Sequence, residues 1–279
     1  MIELTLRHWR HYYRLIRFDK PIGTTLLIWP SLWTLWLAHM QAPRLKNLII
    51  FIVGTFIMRS AGCIINDYAD RGFDAHVKRT CSRPLAAKDI TAREAIELLV
   101  IFLITAFILV LFTNTLTIKL AFIGVLLTLI YPFMKRFTHW PQAFLGLAYS
   151  YPVPMAWAAE TSQLAAPAWW LYAGTFFWVI AFDTYYAMTD RDDDLKIGVK
   201  STAVLFGQYD KKIIFILNCL TLICFYIAGR LLHLNGYFYI GLAIAAGLFL
   251  YQQYLTRDRS KEHCFTAFLH NNWVGAVIF

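Results

Sequence analysis

Seven of the chain's 17 acidic residues sit in two short clusters, Asn66-Asp67-Tyr68-Ala69-Asp70-Arg71-Gly72-Phe73-Asp74 and Asp190-Arg191-Asp192-Asp193-Asp194. In the first, Asn66, Asp70 and Asp74 step by four and Asp67 stands three before Asp70. On a helix these four side chains share one broad face. In the second, Asp190 and Asp194 are four apart, and Tyr186 and Asp183 carry the same face back by four and seven residues. Asp192 and Asp193 point away from it and are expected to face water. Carboxylates stacked in this way repel one another unless a cation intervenes. Mg²⁺ suits the task, because it is held by one or two carboxylates together with phosphate oxygens rather than by a closed protein cage. Lys78-Arg79-Thr80 and Arg83-Pro84 follow the first cluster, and Lys196 and Lys200-Ser201-Thr202 the second. Metal-binding carboxylates beside phosphate-binding cations are the parts of a site that grips a diphosphate through two metal ions.

Both clusters stand at the ends of long apolar segments, where a carboxylate is costly unless a cation or a wet cavity compensates it. The chain has 279 residues, of which 59% are hydrophobic and 15% charged, and its mean hydropathy is +0.52. That composition excludes a water-soluble surface and predicts an integral membrane protein. Nine segments approach the ~20 residues a spanning helix needs: 21–40, 47–67, 94–113, 117–134, 141–159, 168–189, 212–230, 236–254 and 264–279. None alternates as a barrel strand does. The expected fold is therefore all-α, a polytopic bundle of about nine transmembrane helices forming one domain over residues 1–279. Met1 to Lys20 is basic and aromatic, and the segment after it lacks a small-residue cleavage site, so the first helix is expected to be retained. With the N-terminus inside, all of the 26 Lys and Arg residues except Arg44, Lys46, Lys119, Arg230 and the intrahelical Arg59 fall on the inner side. The positive-inside rule then places both aspartate clusters in the cytoplasm. The net charge of +9 is explained by topology, and no extramembrane region is large enough for nucleic acid. Cys219 and Cys224 read as small residues of an apolar helix, and the five cysteines have no metal-ligand spacing.

Asn66-Asp-x-x-Asp-x-x-x-Asp74 after the second helix and Tyr186-x-x-x-Asp190-x-x-x-Asp194 after the sixth resemble the motifs of the UbiA superfamily of intramembrane aromatic prenyltransferases. Further pieces resemble the branch that prenylates 4-hydroxybenzoate in ubiquinone biosynthesis. They are Asp19-Lys20-Pro21-Ile22-Gly23, Arg59-Ser60-Ala61-Gly62-Cys63, Arg79-Thr80 with Arg83-Pro84-Leu85, Tyr131-Pro132 with Lys135-Arg136, Trp140-Pro141-Gln142, and Asp190 to Lys196 with Lys200-Ser201-Thr202. The resemblance covers residues 19 to about 207, and beyond that only the hydropathy agrees.

The resemblance implies helices around a central cavity, with the two motifs facing each other under a cytoplasmic cap made from loops 68–93 and 190–211, in a bacterial inner membrane. The implied reaction joins a polyprenyl diphosphate to the ring carbon ortho to the hydroxyl of 4-hydroxybenzoate and releases diphosphate, with Mg²⁺ as cofactor. Asp67, Asp70 and Asp74 are then expected to hold one Mg²⁺, and Asp190 and Asp194 the other. Asn66, Arg59, Lys78, Arg79, Lys196 and Lys200 are diphosphate-clamp candidates. Arg59 is singled out because it lies inside an apolar segment two helical turns before Asp67. Arg136 has the planar guanidinium that matches a carboxylate and is the expected partner of the acceptor. Asp190 is expected to take the ring proton, Asp183 is a further candidate at the acceptor, and Tyr186 is the ring placed to stabilise an allylic cation. Trp29, Trp33 and Trp36 are expected in the interfacial belt, and the tail is expected to reach membrane lipid through a lateral opening. Another aromatic acceptor and a metal-dependent transporter are the alternatives. Against transport, the acidic groups lie at one membrane side and are mixed with phosphate-type cations.

Overall fold

Polar caps start several of the apolar segments as helices. The Thr91 hydroxyl accepts the Glu94 N–H while the Glu94 carboxylate takes the Thr91 N–H, a reciprocal box. Asn114, Asn235 and Ser260 cap three others with side-chain oxygens. The computed structural model describes residues 2–75 and 80–279, apart from the side chains of Phe73 and Ile197. Among these residues all regular structure is helical. The α-helices are α1 (Trp9–Leu15), α2 (Ile22–His39), α3 (Leu45–Asp74), α4 (Ala92–Leu111), α5 (Thr115–Ile130), α6 (Pro141–Ser150), α7 (Pro152–Thr161), α8 (Ala166–Ile197), α9 (Thr202–Phe206), α10 (Asp210–Leu231), α11 (Gly236–Leu255) and α12 (Lys261–Ile278). A 3₁₀ turn, Tyr131–Arg136, continues from α5.

All nine apolar segments lie largely in helix, with two differences that shape the site. Segment 141–159 is not one helix: it breaks at Tyr151, before Pro152, which has no N–H to continue the hydrogen-bond ladder. The aspartate motifs are not in loops. α3 runs 30 residues and α8 runs 32, so at ~1.5 Å per residue each outreaches a hydrocarbon core of ~30 Å and carries its motif as rigid helix. Gly198, at φ 72°, ends α8 in the left-handed conformation that glycine adopts freely. Among the described residues, five stretches are long and apolar enough to cross a membrane by length and composition alone: Leu45–Gly72, Ala92–Leu111, Thr115–Arg136, Thr202–Leu231 and Gly236–Asp258. The chain is a multi-pass membrane protein.

α8 is the hub, with α6, α10 and α12 packed along it, while α3 packs on α2 and α4. Trp178 and Phe225 are fully buried around the hub. Of the α2 tryptophans expected in a belt, Trp33 is instead buried and Trp29 is held by α12. Trp33 is 2% exposed and donates to the Gly275 carbonyl at 2.9 Å, and Trp29 donates to Asn272 Oδ1 at 3.0 Å. Both therefore tie α2 to α12. This contact needs a small residue on α12, since a Cβ at Gly275 would strike the Trp29 ring. A Cβ at Gly241 of α11 would lie 2.5 Å from the Val277 carbonyl oxygen, and that backbone atom has nowhere to retreat. Gly241→Ala is expected to cost about 1–3 kcal/mol through overpacking. A thermal melt in detergent should show its midpoint several degrees lower. Gly54→Ala, whose Cβ would meet nothing within 4 Å, should leave the midpoint unchanged or raised.

Candidate active site

The last turns of α3 hold three buried carboxylates, Asp67, Asp70 and Asp74, exposed by only 1%, 4% and 6%. A buried carboxylate needs a cation or several donors, and this chain brings the cations from three distant segments. Arg17, just after α1, donates one nitrogen to both oxygens of Asp67 at 2.8 and 2.7 Å. Arg83, in the turn segment before α4, bridges Asp67 at 3.1 Å and Asp74 at 2.8 Å. Lys135, in the 3₁₀ turn, pairs with Asp70. Burial opposes the charge on Arg83, but Asp67 and Asp74 outweigh it and hold the guanidinium above the usual arginine range. Arg17 reaches Asp67 from a backbone at φ 57°. A non-glycine residue there costs on the order of 1 kcal/mol or more, so the contact is maintained against local strain.

α8 brings the second row. Asp183, Tyr186, Asp190 and Asp194 are all partly buried. The rows converge. Asp183 lies within electrostatic reach of Arg59, Asp190 and Lys135, and Tyr186 within reach of both Arg59 and Arg83. The Tyr186 ring packs on Phe268 with centroids 4.9 Å apart. Asp192 is exposed and meets Lys261 at 3.3 Å, on the water side where its position in the helix places it.

Beside the carboxylates, α3, α4, α5 and the α6–α7 pair enclose an apolar chamber of about 270 Å³. Arg59, Gly62, Tyr131 and Tyr149 line it on the side of the motifs, and Phe51, Val110 and Met155 line it further along. Arg59 contacts Cys63 and lies against Gly23 of α2, where a Cβ would collide with its guanidinium. Its Nε is buried without a partner among the described residues.

The other expected clamp residues divide. Lys196 is 75% exposed and turns to Asp193 at 3.7 Å. Lys200 donates from Nζ to the Phe137 carbonyl at 3.3 Å, fastening the segment after α8 to the segment after α5. Asn66 is partly buried on the motif face. Arg136 donates to the Ala69 carbonyl, inside the first motif, and lies 5.8 Å from the Phe133 ring. Lys78 and Arg79 lie outside the described residues.

Arg17, Arg83 and Lys135 are the residues the sequence reading did not assign. Arg83 and Lys135 carried a signal, as cations close after a motif or at the inner end of a helix. Arg17 carried none, because nothing local links it to a carboxylate 50 positions away.

Does the arrangement suit a divalent metal? Among the described residues no three His, Cys, Asp or Glu side chains form a ready-made cage. A cage is what Mg²⁺ does not require, since substrate phosphates complete its shell. Asp70 Oδ1 is buried with no hydrogen-bond partner among the described residues, an oxygen with spare capacity at the centre of the first row. Carboxylate oxygens are the donors a hard cation takes, so the residues fit the group.

The profile of the UbiA prenyltransferase family matches residues 27–273. The 4-hydroxybenzoate octaprenyltransferase of Vibrio cholerae serotype O1 is 55% identical over 269 residues, covering 96% of this chain and 95% of the relative. A UbiA homolog from Aeropyrum pernix K1, in its apo structure, superposes with a TM-score of 0.79 at 21% identity, over 94% of this chain and 96% of that one. A UbiA homolog from Archaeoglobus fulgidus, bound to GPP and Mg²⁺, superposes with a TM-score of 0.72 at 19% identity, over 96% and 99%. With the aspartate-bearing helices, the shared fold and a profile match over nearly the whole length, the chain belongs to the UbiA prenyltransferase family.

Proposed function

We propose that the chain transfers a polyprenyl group from polyprenyl diphosphate to the ring carbon of 4-hydroxybenzoate ortho to the hydroxyl, as a step of ubiquinone biosynthesis. The observation that carries this is the juxtaposition of two converging carboxylate rows, their cations and an apolar, aromatic-lined chamber. One end suits a diphosphate and the other a hydrocarbon tail. The 55% identity to a 4-hydroxybenzoate octaprenyltransferase supports the acceptor.

Mg²⁺, held by Asp67, Asp70 and Asp74 and by Asp190 and Asp194, would neutralise the diphosphate as it becomes a leaving group. The protein's own groups do the rest. Arg17, Arg83 and Lys135, already at the carboxylates, bind diphosphate oxygens, with Asn66 and Arg59 at the edge of the chamber. Lys78, Arg79, Lys196 and Lys200 add positive charge on the segments that follow each motif. The C–O bond to the diphosphate breaks, and Tyr186 faces the allylic carbon with its ring. Arg136 orients the acceptor carboxylate, the new C–C bond forms, and Asp190 takes the displaced ring proton, with Asp183 deeper on the same face of α8. The chamber walls exclude water, which would otherwise consume the cation. The chain acts as a single domain of nine crossings in the bacterial inner membrane, with the site facing the cytoplasm and capped by the segments after α3 and α8.

The test is a product assay in membranes with Mg²⁺, a polyprenyl diphosphate and a panel of labelled aromatic acceptors. A lipid-extractable product from 4-hydroxybenzoate alone is expected. Product from a different acceptor would overturn the acceptor assignment and keep the chemistry. Arg136→Ala is expected to raise KM for 4-hydroxybenzoate by about tenfold, on the order of 1.4 kcal/mol, while leaving KM for the prenyl diphosphate nearly unchanged. An equal rise in both would remove Arg136 from the acceptor.

A further inference from the structure

α8 loses its packing where its chemistry begins. Up to Thr189 it is largely buried, but no described side chain from Asp190 to Lys196 is, and Leu195 is 61% exposed. Apolar packing therefore adds little to hold the position of these last two turns, and that position decides where Asp190 and Asp194 stand. Surface pairs such as Lys261–Asp192 are too exposed to fix it.

Arg191 ties the segment to a fully buried partner. Arg191 pairs with Asp210, which is 0% exposed at the N-terminus of α10. Asp210 is itself anchored: Arg259 donates to its two oxygens at 3.0 and 3.2 Å, and the Lys211 N–H donates at 2.6 Å. Arg259 also holds the Gln208 carbonyl at 3.0 Å. Arg191 adjoins Asp190 in sequence and lies one turn before Asp194, so pinning Arg191 to Asp210 ties the turn that carries both carboxylates to the start of α10.

We infer that Asp210, acting through Arg191, is a positioning device for the second aspartate row and sets how well that row holds a divalent cation. The inference rests on the diphosphate–metal reading of the site. Geometry and simple electrostatics predict opposite signs, which makes it testable. Removing the positive charge of Arg191 next to two carboxylates should strengthen cation binding if charge alone matters. If position matters, binding should weaken.

The experiment is Mn²⁺ binding, followed by electron paramagnetic resonance on the purified full chain with inorganic diphosphate, for wild type, Arg191→Ala and Arg259→Ala, alongside the Mg²⁺ dependence of turnover. Arg191→Ala leaves Asp210 paired with Arg259, so the fold is retained, and a thermal melt checks this. The expected result is Mn²⁺ affinity about tenfold weaker in Arg191→Ala, with a matching rise in the Mg²⁺ needed for half-maximal rate and an unchanged KM for 4-hydroxybenzoate. Arg259→Ala should shift either by less than about threefold. Unchanged or tighter Mn²⁺ binding in Arg191→Ala would overturn the inference alone, as would an equal loss in Arg259→Ala, which would indicate general loosening. Absence of Mn²⁺ binding in the wild type would overturn the metal reading and the inference with it.

Discussion

Asp67→Asn and Asp190→Asn are each expected to lower kcat/KM by about a thousandfold or more at saturating Mg²⁺, a loss on the order of 4 kcal/mol of transition-state stabilisation. The size follows from the chemistry. Ionising an allylic diphosphate places charge on a leaving group, and groups aimed at developing charge in a water-poor site are the largest single contribution to such rates. Asn keeps the shape of the side chain but removes its charge, so the row loses affinity for a cation without losing volume. Asp67 carries a second role that must be separated. It is 1% exposed and pairs with Arg17 and Arg83, and deleting one partner of a buried pair costs about 3–5 kcal/mol of stability. Asn, which can still accept from a guanidinium, softens that loss. Rates should be expressed per folded protein after size exclusion and a thermal melt. Asp192→Asn is the control: Asp192 is exposed and pairs with the surface residue Lys261, so its rate should stay within about twofold. Near-normal rates in Asp67→Asn or Asp190→Asn would remove that residue from the metal-binding rows.

What was legible in the sequence was what local spacing encodes. The i, i+4 steps of both clusters placed the carboxylates on single helix faces, and α3 and α8 carry them so. Hydropathy located the segments that form the bundle. Pro152, visible inside its apolar segment, marks the break between α6 and α7. What was not legible depends on contacts between residues far apart in the chain. No local pattern brings Arg17 to Asp67 or Lys135 to Asp70, 50 and 65 positions apart. Trp33 has the amphipathic ring of a belt residue, yet it packs inside and donates its N–H to the Gly275 carbonyl. Asp210 reads as an ordinary acidic residue at a helix start and is one, but it is also the buried end of an ion cluster linking α8, α10 and the turn before α12. A membrane protein hides its cation partners from a sequence reading for a physical reason. The positive-inside rule already explains every inner Lys and Arg, so charge alone does not separate those that hold the helix ends in place from those that reach the site.

Removal of divalent cations should stop the reaction altogether. With excess chelator the rate is expected to fall to background, about three orders of magnitude or more below the Mg²⁺-saturated rate, and added Mg²⁺ should restore it. The structural basis is the number of carboxylates against the number of cations. Among the described residues, Arg17, Arg83 and Lys135 satisfy Asp67, Asp74 and one oxygen of Asp70, while Asp70 Oδ1 is buried without a partner. A diphosphate arriving at this face brings further negative charge, which those three side chains would have to divide between substrate and carboxylates. Positive charge brought in with the substrate relieves that competition, and Mg²⁺ prefers such a shared arrangement to a protein cage. A second readout does not depend on turnover. Mg²⁺ with inorganic diphosphate should raise the thermal midpoint, because ligands that bind only the folded state stabilise it by mass action. Either component alone should raise it much less. Full activity in chelator would show that Arg17, Arg83 and Lys135 suffice for leaving-group departure, and the two aspartate rows would then have to be read as anchors for those cations.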